Sequence, residues 1–184
     1  MYKKTEARIM KSYNVNEDSF NILKYDNVIE VDPPYQMIFV TEIELWGEYN
    51  KRFNIIADFA NMGNRSIIVD DDLLIIGATS KLVVYDLKVD KIIKNIQLDT
   101  WADDVIKLLN GYFVHGELTN FFFDKDFNLV WERGCADIFE NSKVKDVVEI
   151  GKNYVAVYDW YGCKHYYNEE GEFKCTYHEE YNMG

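Results

Sequence analysis

Residues 66–98 read Ser66-Ile-Ile-Val-Asp-Asp-Asp-Leu-Leu-Ile-Ile-Gly77, then Ala78-Thr-Ser-Lys-Leu-Val-Val-Tyr-Asp86, then Leu87-Lys-Val-Asp-Lys-Ile-Ile-Lys-Asn-Ile-Gln-Leu98. Four short runs rich in branched and aromatic residues, at 67–69, 73–77, 82–86 and 92–98, alternate with Asp, Gly, Ser and Lys turns. That alternation predicts a four-stranded antiparallel meander. One meander of this length cannot cover its own faces, so it needs neighbours of the same kind.

Three further stretches supply them. Ile29-Glu-Val-Asp-Pro-Pro-Tyr-Gln-Met-Ile-Phe39 aligns with the eleven residues from Ile67 to Gly77. In this first repeat strands are expected at Val28–Val31, Gln36–Val40, Ile43–Trp46 and Phe53–Ile56, with both prolines in a turn that needs no ladder hydrogen bond. The third repeat runs through Asp104–Gly111, Tyr112–Gly116, Phe121–Asp124 and Leu129–Glu132. The fourth runs through Asp146–Gly151, Tyr154–Asp159, Lys164–Asn168 and Glu172–Tyr177. Thr100 to Gly111 also fits a capped helix, with Thr100 as N-cap and Gly111 as stop. The β-branched residues at the equivalent positions of the other repeats favour a strand, with room for a helical turn at Thr100 to Asp103. The expected fold is all-β: a single domain over 1–184, with repeats at 28–66, 67–103, 104–145 and 146–184. Residues 1–27 read as an N-terminal extension with one strand at Phe20–Tyr25.

A period of about 40 residues with four strands each resembles the blades of β-propellers over residues 28–177. The Gly-His…Trp-Asp pairing of WD repeats is absent. The resemblance implies sheets packed face to face around an axis, closed as a small propeller or left as an open arc. An open arc would leave a sheet face for a partner or for a second copy of the chain.

The chain carries 20 Lys and Arg against 32 Asp and Glu, a formal charge of −12. Such a field opposes nucleic-acid backbones and anionic lipid and favours cationic partners; acidity also serves solubility alone. No apolar run is long enough to span a bilayer, and no secretory leader is read at the N-terminus. Three cysteines, Cys135, Cys163 and Cys175, form no framework. The expectation is a cytoplasmic protein with free thiols.

Alternating strand direction sorts the turns onto two rims. One holds Asp70–Asp72, Lys88–Lys91, Lys125–Asn128 and Glu169–Gly171, short and polar with lysines among the acids. The other holds the second-to-third turns and the longer links between repeats, with Trp101, Asp103, Glu117, Asp137, Phe139, Glu140, Trp160 and Tyr161. Long loops on a rigid scaffold carry function more often than short ones. Aromatics interleaved with carboxylates suit recognition of a cationic protein. The alternative for Trp101 and Trp160 is that they plug gaps between meanders.

Cys163-Lys-His165 and Cys175-Thr-Tyr-His178 form the one cluster with zinc-type donors. A four-residue loop at Asn168–Gly171 would set Tyr167 opposite Glu172 and His165 opposite Lys174. Cys163 and His165 would then share one face while Cys175 lay on the other, so no metal and no cofactor is expected. A one-residue slip would reunite them. Three scattered histidines assemble no triad, and no phosphate-cradling loop occurs. A lone His115 in a strand reads as a satisfied or exposed residue. A non-enzyme is therefore expected.

In size, acidity and lack of catalytic motifs the chain resembles bacterial immunity proteins, which block cognate toxin domains. That resemblance implies a basic toxin, such as a nuclease, as partner, and inhibition by occlusion of its active site. The other reading is a small-ligand or carbohydrate-binding propeller-like protein, or a degenerate enzyme, with Trp160 and Tyr161 as stacking platforms.

Overall fold

In the computed structural model the described residues are 4–15, 27–31, 33, 36–58, 62–63, 65–134 and 147–177. Sixteen strands among them form four four-stranded sheets. The opening stretch folds as read: β5 (Ile67–Asp70), β6 (Leu73–Ala78), β7 (Lys81–Asp86) and β8 (Lys91–Gln97) make a plain antiparallel meander. Asp71 and Asp90 take the left-handed conformation in its tight turns, at φ 51° and 59°. Their short polar side chains tolerate that conformation better than most.

The next sheet contains β9 (Ala102–Lys107), β10 (Gly111–Gly116), β11 (Thr119–Asp124) and β12 (Leu129–Gly134). Residues 102–107 are strand rather than helix, and Asp99 and Thr100 form a bend with no helical turn. The fourth sheet is β13 (Val148–Ile150), β14 (Val155–Tyr158), β15 (Cys163–Asn168) and β16 (Gly171–Tyr177), again in sequence order.

The first sheet departs from the expectation. β1 (Glu6–Val15) pairs with β3 (Ile38–Trp46), which pairs with β4 (Lys51–Asp58), which pairs in parallel with the short β2 (Val28–Glu30). The turn expected between Val40 and Ile43 does not exist. Thr41-Glu42 offers neither Gly, Pro, Asn nor Asp, and Val40, Ile43 and Leu45 are buried along one unbroken strand. Glu6–Val15, read as part of an extension, therefore supplies a full strand to the first sheet. The strand expected at Phe20–Tyr25 lies outside the described residues.

The chain divides into two compact units, Met1–Val105 and Ile106–Gly184. In the first, inward residues of the first two sheets interdigitate, among them Ile43, Leu45, Phe53, Ile55, Leu74, Ile76 and Val83. Phe53 meets the Tyr85 ring edge-on, with centroids 5.3 Å apart. In the second, Phe113, Phe122, Trp131, Val155, Val157 and Tyr167 form the core.

Two ion pairs engage turn residues of the first unit. Lys88 pairs with Asp72 and Lys51 with Asp90, while Tyr49 Oη donates to Asp72 and Tyr85 Oη donates to Asp90 Oδ1 at 2.9 Å. Burial, then the bond to Asp90, pushes the Tyr85 phenol up to about 12; the bond to Asp72 pushes Tyr49 to about 12 as well. A phenol raised above its unfolded value of about 10 contributes stability below that pH and loses it as the pH climbs through the folded value. The melting temperature should accordingly fall between about pH 10 and pH 12. Tyr85→Phe should make that fall shallower in thermal melts; an unchanged slope would show that Tyr85 does not couple to folding.

Candidate recognition surface

The link from β8 to β9 carries Trp101 and Asp103, and backbone bonds hold it against β6. Ala102 N–H donates to the Thr79 carbonyl at 2.7 Å, Val105 N–H to the Arg65 carbonyl at 2.8 Å, and Ser66 Oγ to the Asp103 carbonyl at 2.7 Å. Gly77 makes the approach possible. A Cβ there would stand 3.0 Å from Val105 Cγ2 and 3.2 Å from the Ala102 Cβ. Between these segments lies a pocket of about 320 Å³, lined by Met62, Thr79, Trp101, Asp103 and Asp104 among others. Arg65 pairs with Asp104 at 3.5 Å.

Thr79 marks the pocket in a second way. It holds φ at 51°, a left-handed conformation that is a genuine outlier for a β-branched residue. Such a residue costs about 1–3 kcal/mol and persists where surrounding structure imposes it. Its Oγ1 is buried and has no hydrogen-bond partner among the described residues.

The four tryptophans divide sharply in exposure. Trp131 is 7% exposed in the core, whereas Trp46 is 39%, Trp101 53% and Trp160 50% exposed, so the last two do not plug gaps. Trp160 and Tyr161 occupy the tight turn from β14 to β15. It is closed by Asp159 N–H donating to the Cys163 carbonyl and Gly162 N–H donating to the Asp159 carbonyl, each at 3.0 Å. Tyr161 is 63% exposed. Glu117 sits in the corresponding turn from β10 to β11, beside the exposed Leu118. Thus Trp101 and Asp103 share the pocket in the first unit, and Trp160 and Tyr161 share one turn in the second. Asp137, Phe139 and Glu140 lie outside the described residues, as do Cys135 and His178.

His115 is buried, with Nδ1 2.8 Å from Asn120 Oδ1, as a satisfied core histidine would be. The cysteine expectation fails. Cys163 and Cys175 form a disulfide, so these two are not free thiols and do not point to opposite faces. The cause is a β-bulge. Tyr167 faces Glu172 as expected, but Phe173 is extra, so Tyr166 faces Lys174 and His165 faces Cys175. Asp159, at the start of the turn, accepts from Cys163 N–H through Oδ1 at 2.8 Å and meets His165 Nε2 through Oδ2 at 3.1 Å.

No family model matches this sequence, and no curated protein matches it. Solved structures do resemble it. BamB from Moraxella catarrhalis superposes with a TM-score of 0.55 at 15% identity, over 93% of this chain and 52% of BamB. The computationally designed Ika8 protein matches at 0.54 and 9%, over 77% of this chain and 47% of its own. BBS1N, solved in complex with ARL6DN, matches at 0.50 and 14%, over 77% and 50%. The chain thus spans about half the length of each. These likenesses, with the four four-stranded sheets, establish a propeller-like all-β fold.

Proposed function

We propose that this chain is a non-catalytic recognition module that binds a basic protein, in the manner of an immunity protein occluding a toxin domain. The observation that carries this reading is Trp101, half exposed in the lining of a pocket that also holds the exposed Asp103. Exposing that much indole to water forfeits burial that a partner would restore, and the carboxylate beside it suits Lys or Arg. The charge of −12 adds long-range attraction for a cationic partner. Trp160 and Tyr161 offer a second aromatic contact of the same kind, and Glu117 a second carboxylate.

Capture from lysate at low ionic strength is the search that favours such a partner, since charge attraction is longest-ranged there. With a partner in hand, Trp101→Ala should speed dissociation roughly 30-fold, the kinetic equivalent of about 2 kcal/mol for a truncated aromatic anchor. Asp103→Asn should slow association and flatten its salt dependence. Both variants should melt close to the parent, because each residue is exposed. A folded Trp101→Ala chain that holds the partner unchanged would reject the surface.

The pocket supports a second reading. Its volume falls at the lower end of small-molecule sites, and the unpartnered Thr79 Oγ1 and the Trp101 ring are the features of a sugar-type pocket. Glycan binding that is lost in Trp101→Ala and insensitive to salt would favour this reading over the protein-binding one.

A further inference from the structure

The bulge at Phe173 places three soft donors on one side of the β15–β16 hairpin. Cys163 and His165 are two residues apart on β15 and share a face, and Cys175 lies directly across from His165. One donor atom from each of the three lies within 4.8 Å of the others. The cluster is graded in access. Cys163 is buried, His165 is half-buried, and Cys175 is exposed.

The imidazole is already oriented. Asp159 Oδ2 stands 3.1 Å from Nε2 and Glu172 Oε1 stands 3.0 Å from Nδ1. Asp159 is itself fixed by the Cys163 N–H. Metal-binding histidines almost always have a carboxylate or carbonyl on the nitrogen that faces away from the ion, which sets the tautomer and raises basicity. Here that outer partner exists whichever nitrogen turns to a metal. A disulfide alone needs no imidazole held between two carboxylates.

We propose that Cys163, His165 and Cys175 form a redox-gated zinc site, closed by the disulfide when oxidised and open to the ion when reduced. Two thiolates and one imidazole are a common zinc donor set, and water takes the fourth tetrahedral position. Sulfurs bound at about 2.3 Å to one tetrahedral ion lie about 3.8 Å apart, so an intact S–S bond excludes the metal. The Cα separation of 6.4 Å accommodates the bridged pair.

The opening step balances as follows. A thiolate of a dithiol reductant attacks the exposed Cys175 Sγ, the S–S bond breaks, and Cys163 leaves as a thiolate. The second thiol of the reductant resolves the mixed disulfide, so the reductant departs as its own disulfide and the chain has gained two electrons and two protons. Zn²⁺ then binds both sulfurs as thiolates and displaces those two protons to solvent, with no change in its oxidation state. This inference is independent of the recognition surface.

The test uses the full chain, reduced with a phosphine under anaerobic conditions or oxidised to the disulfide, and titrated with Zn²⁺ against a chromophoric chelator. The reduced chain should retain about one zinc per molecule and the oxidised chain none. His165→Ala should weaken retention at least tenfold, and Cys175→Ser, at an exposed position, should abolish it. Cys135→Ser should bind as the parent does. Co²⁺ in place of zinc should show a thiolate charge-transfer band that vanishes on oxidation. Equal zinc in the reduced and oxidised parent would overturn the proposal without recourse to any variant. Loss of the cobalt band in Cys135→Ser would overturn the assignment to this pair.

Discussion

Replacing Trp131 by alanine should lower the melting temperature by about 10 °C or more, the largest loss expected from truncating any one side chain. Trp131 is the single buried residue of β12, whose four other side chains, Leu129, Val130, Glu132 and Arg133, face solvent. Its ring stacks on Tyr167 at 5.8 Å and on Phe122 at 6.0 Å, and meets Phe113 at a steep angle at 6.0 Å. Its Nε1 donates to the Glu169 carbonyl at 3.0 Å, tying the strand to the β15–β16 turn. Removing a buried indole costs about 3–5 kcal/mol in lost contacts and residual cavity. For a chain of this size each kcal/mol moves the transition by about 2–4 °C. Trp131→Phe keeps most of the ring contacts and loses the bond to Glu169, so about 1 kcal/mol is expected of it. Calorimetry on the three proteins checks the ordering. A Trp131→Ala transition within about 3 °C of the parent would show that the aromatic cluster does not hold the second unit together.

The contrast between Trp131 and Trp101 shows where sequence reading reached its limit. Strand and turn positions were legible because three of the repeats mark each boundary with Asp, Asn, Gly or Lys, and outside Thr100 to Gly111, where a capped helix competed, each strand is short enough to leave one reading. The first repeat lacked such a mark at Thr41-Glu42, where two strands were expected and one long strand forms. Its true outer partner, β1, was hidden because Glu6–Val15 shifts register near Met10, which breaks the alternation on which strand recognition depends.

The turn positions of the exposed aromatics were legible and their surroundings were not. That Trp101, Trp160 and Tyr161 fall in turns followed from the meander; their exposure did not, since a large aromatic in a turn is as readily tucked inward. The strain at Thr79 leaves no trace in Ala78-Thr-Ser80, where Gly or Asn would have announced a left-handed residue. The hairpin bulge is equally silent, because Phe173 is an ordinary strand residue. One inserted residue nonetheless moves Cys175 from one face to the other, which is the difference between separated thiols and a disulfide beside a held imidazole.

Gly111→Ala should rival Trp131→Ala in damage although it adds only a methyl group. Gly111 opens β10 opposite Asp124, and a Cβ there would stand 2.0 Å from the Phe123 carbonyl oxygen and 2.9 Å from Phe122 Cζ. The carbonyl belongs to the backbone of β11, so it retreats only if the β10–β11 ladder opens. The Gly111 carbonyl meanwhile accepts from Leu108 N–H at 2.9 Å, which ties the glycine into the tight turn and blocks escape on that side. Overpacking that side chains cannot absorb costs about 3 kcal/mol or more. Gly77→Ala is the control. Its nearest atom, Val105 Cγ2 at 3.0 Å, can turn about χ1, and the Ala102 Cβ at 3.2 Å needs its link to shift by only tenths of an ångström, so about 1 kcal/mol is expected. Urea titration of both variants, with amide exchange read in β10 and β11, separates the cases. Gly111→Ala should shift the midpoint far more and raise exchange in those two strands. Equal midpoints would mean that the β10–β11 pairing yields to a methyl group, and that the close approach at Gly111 is not what holds these strands in register.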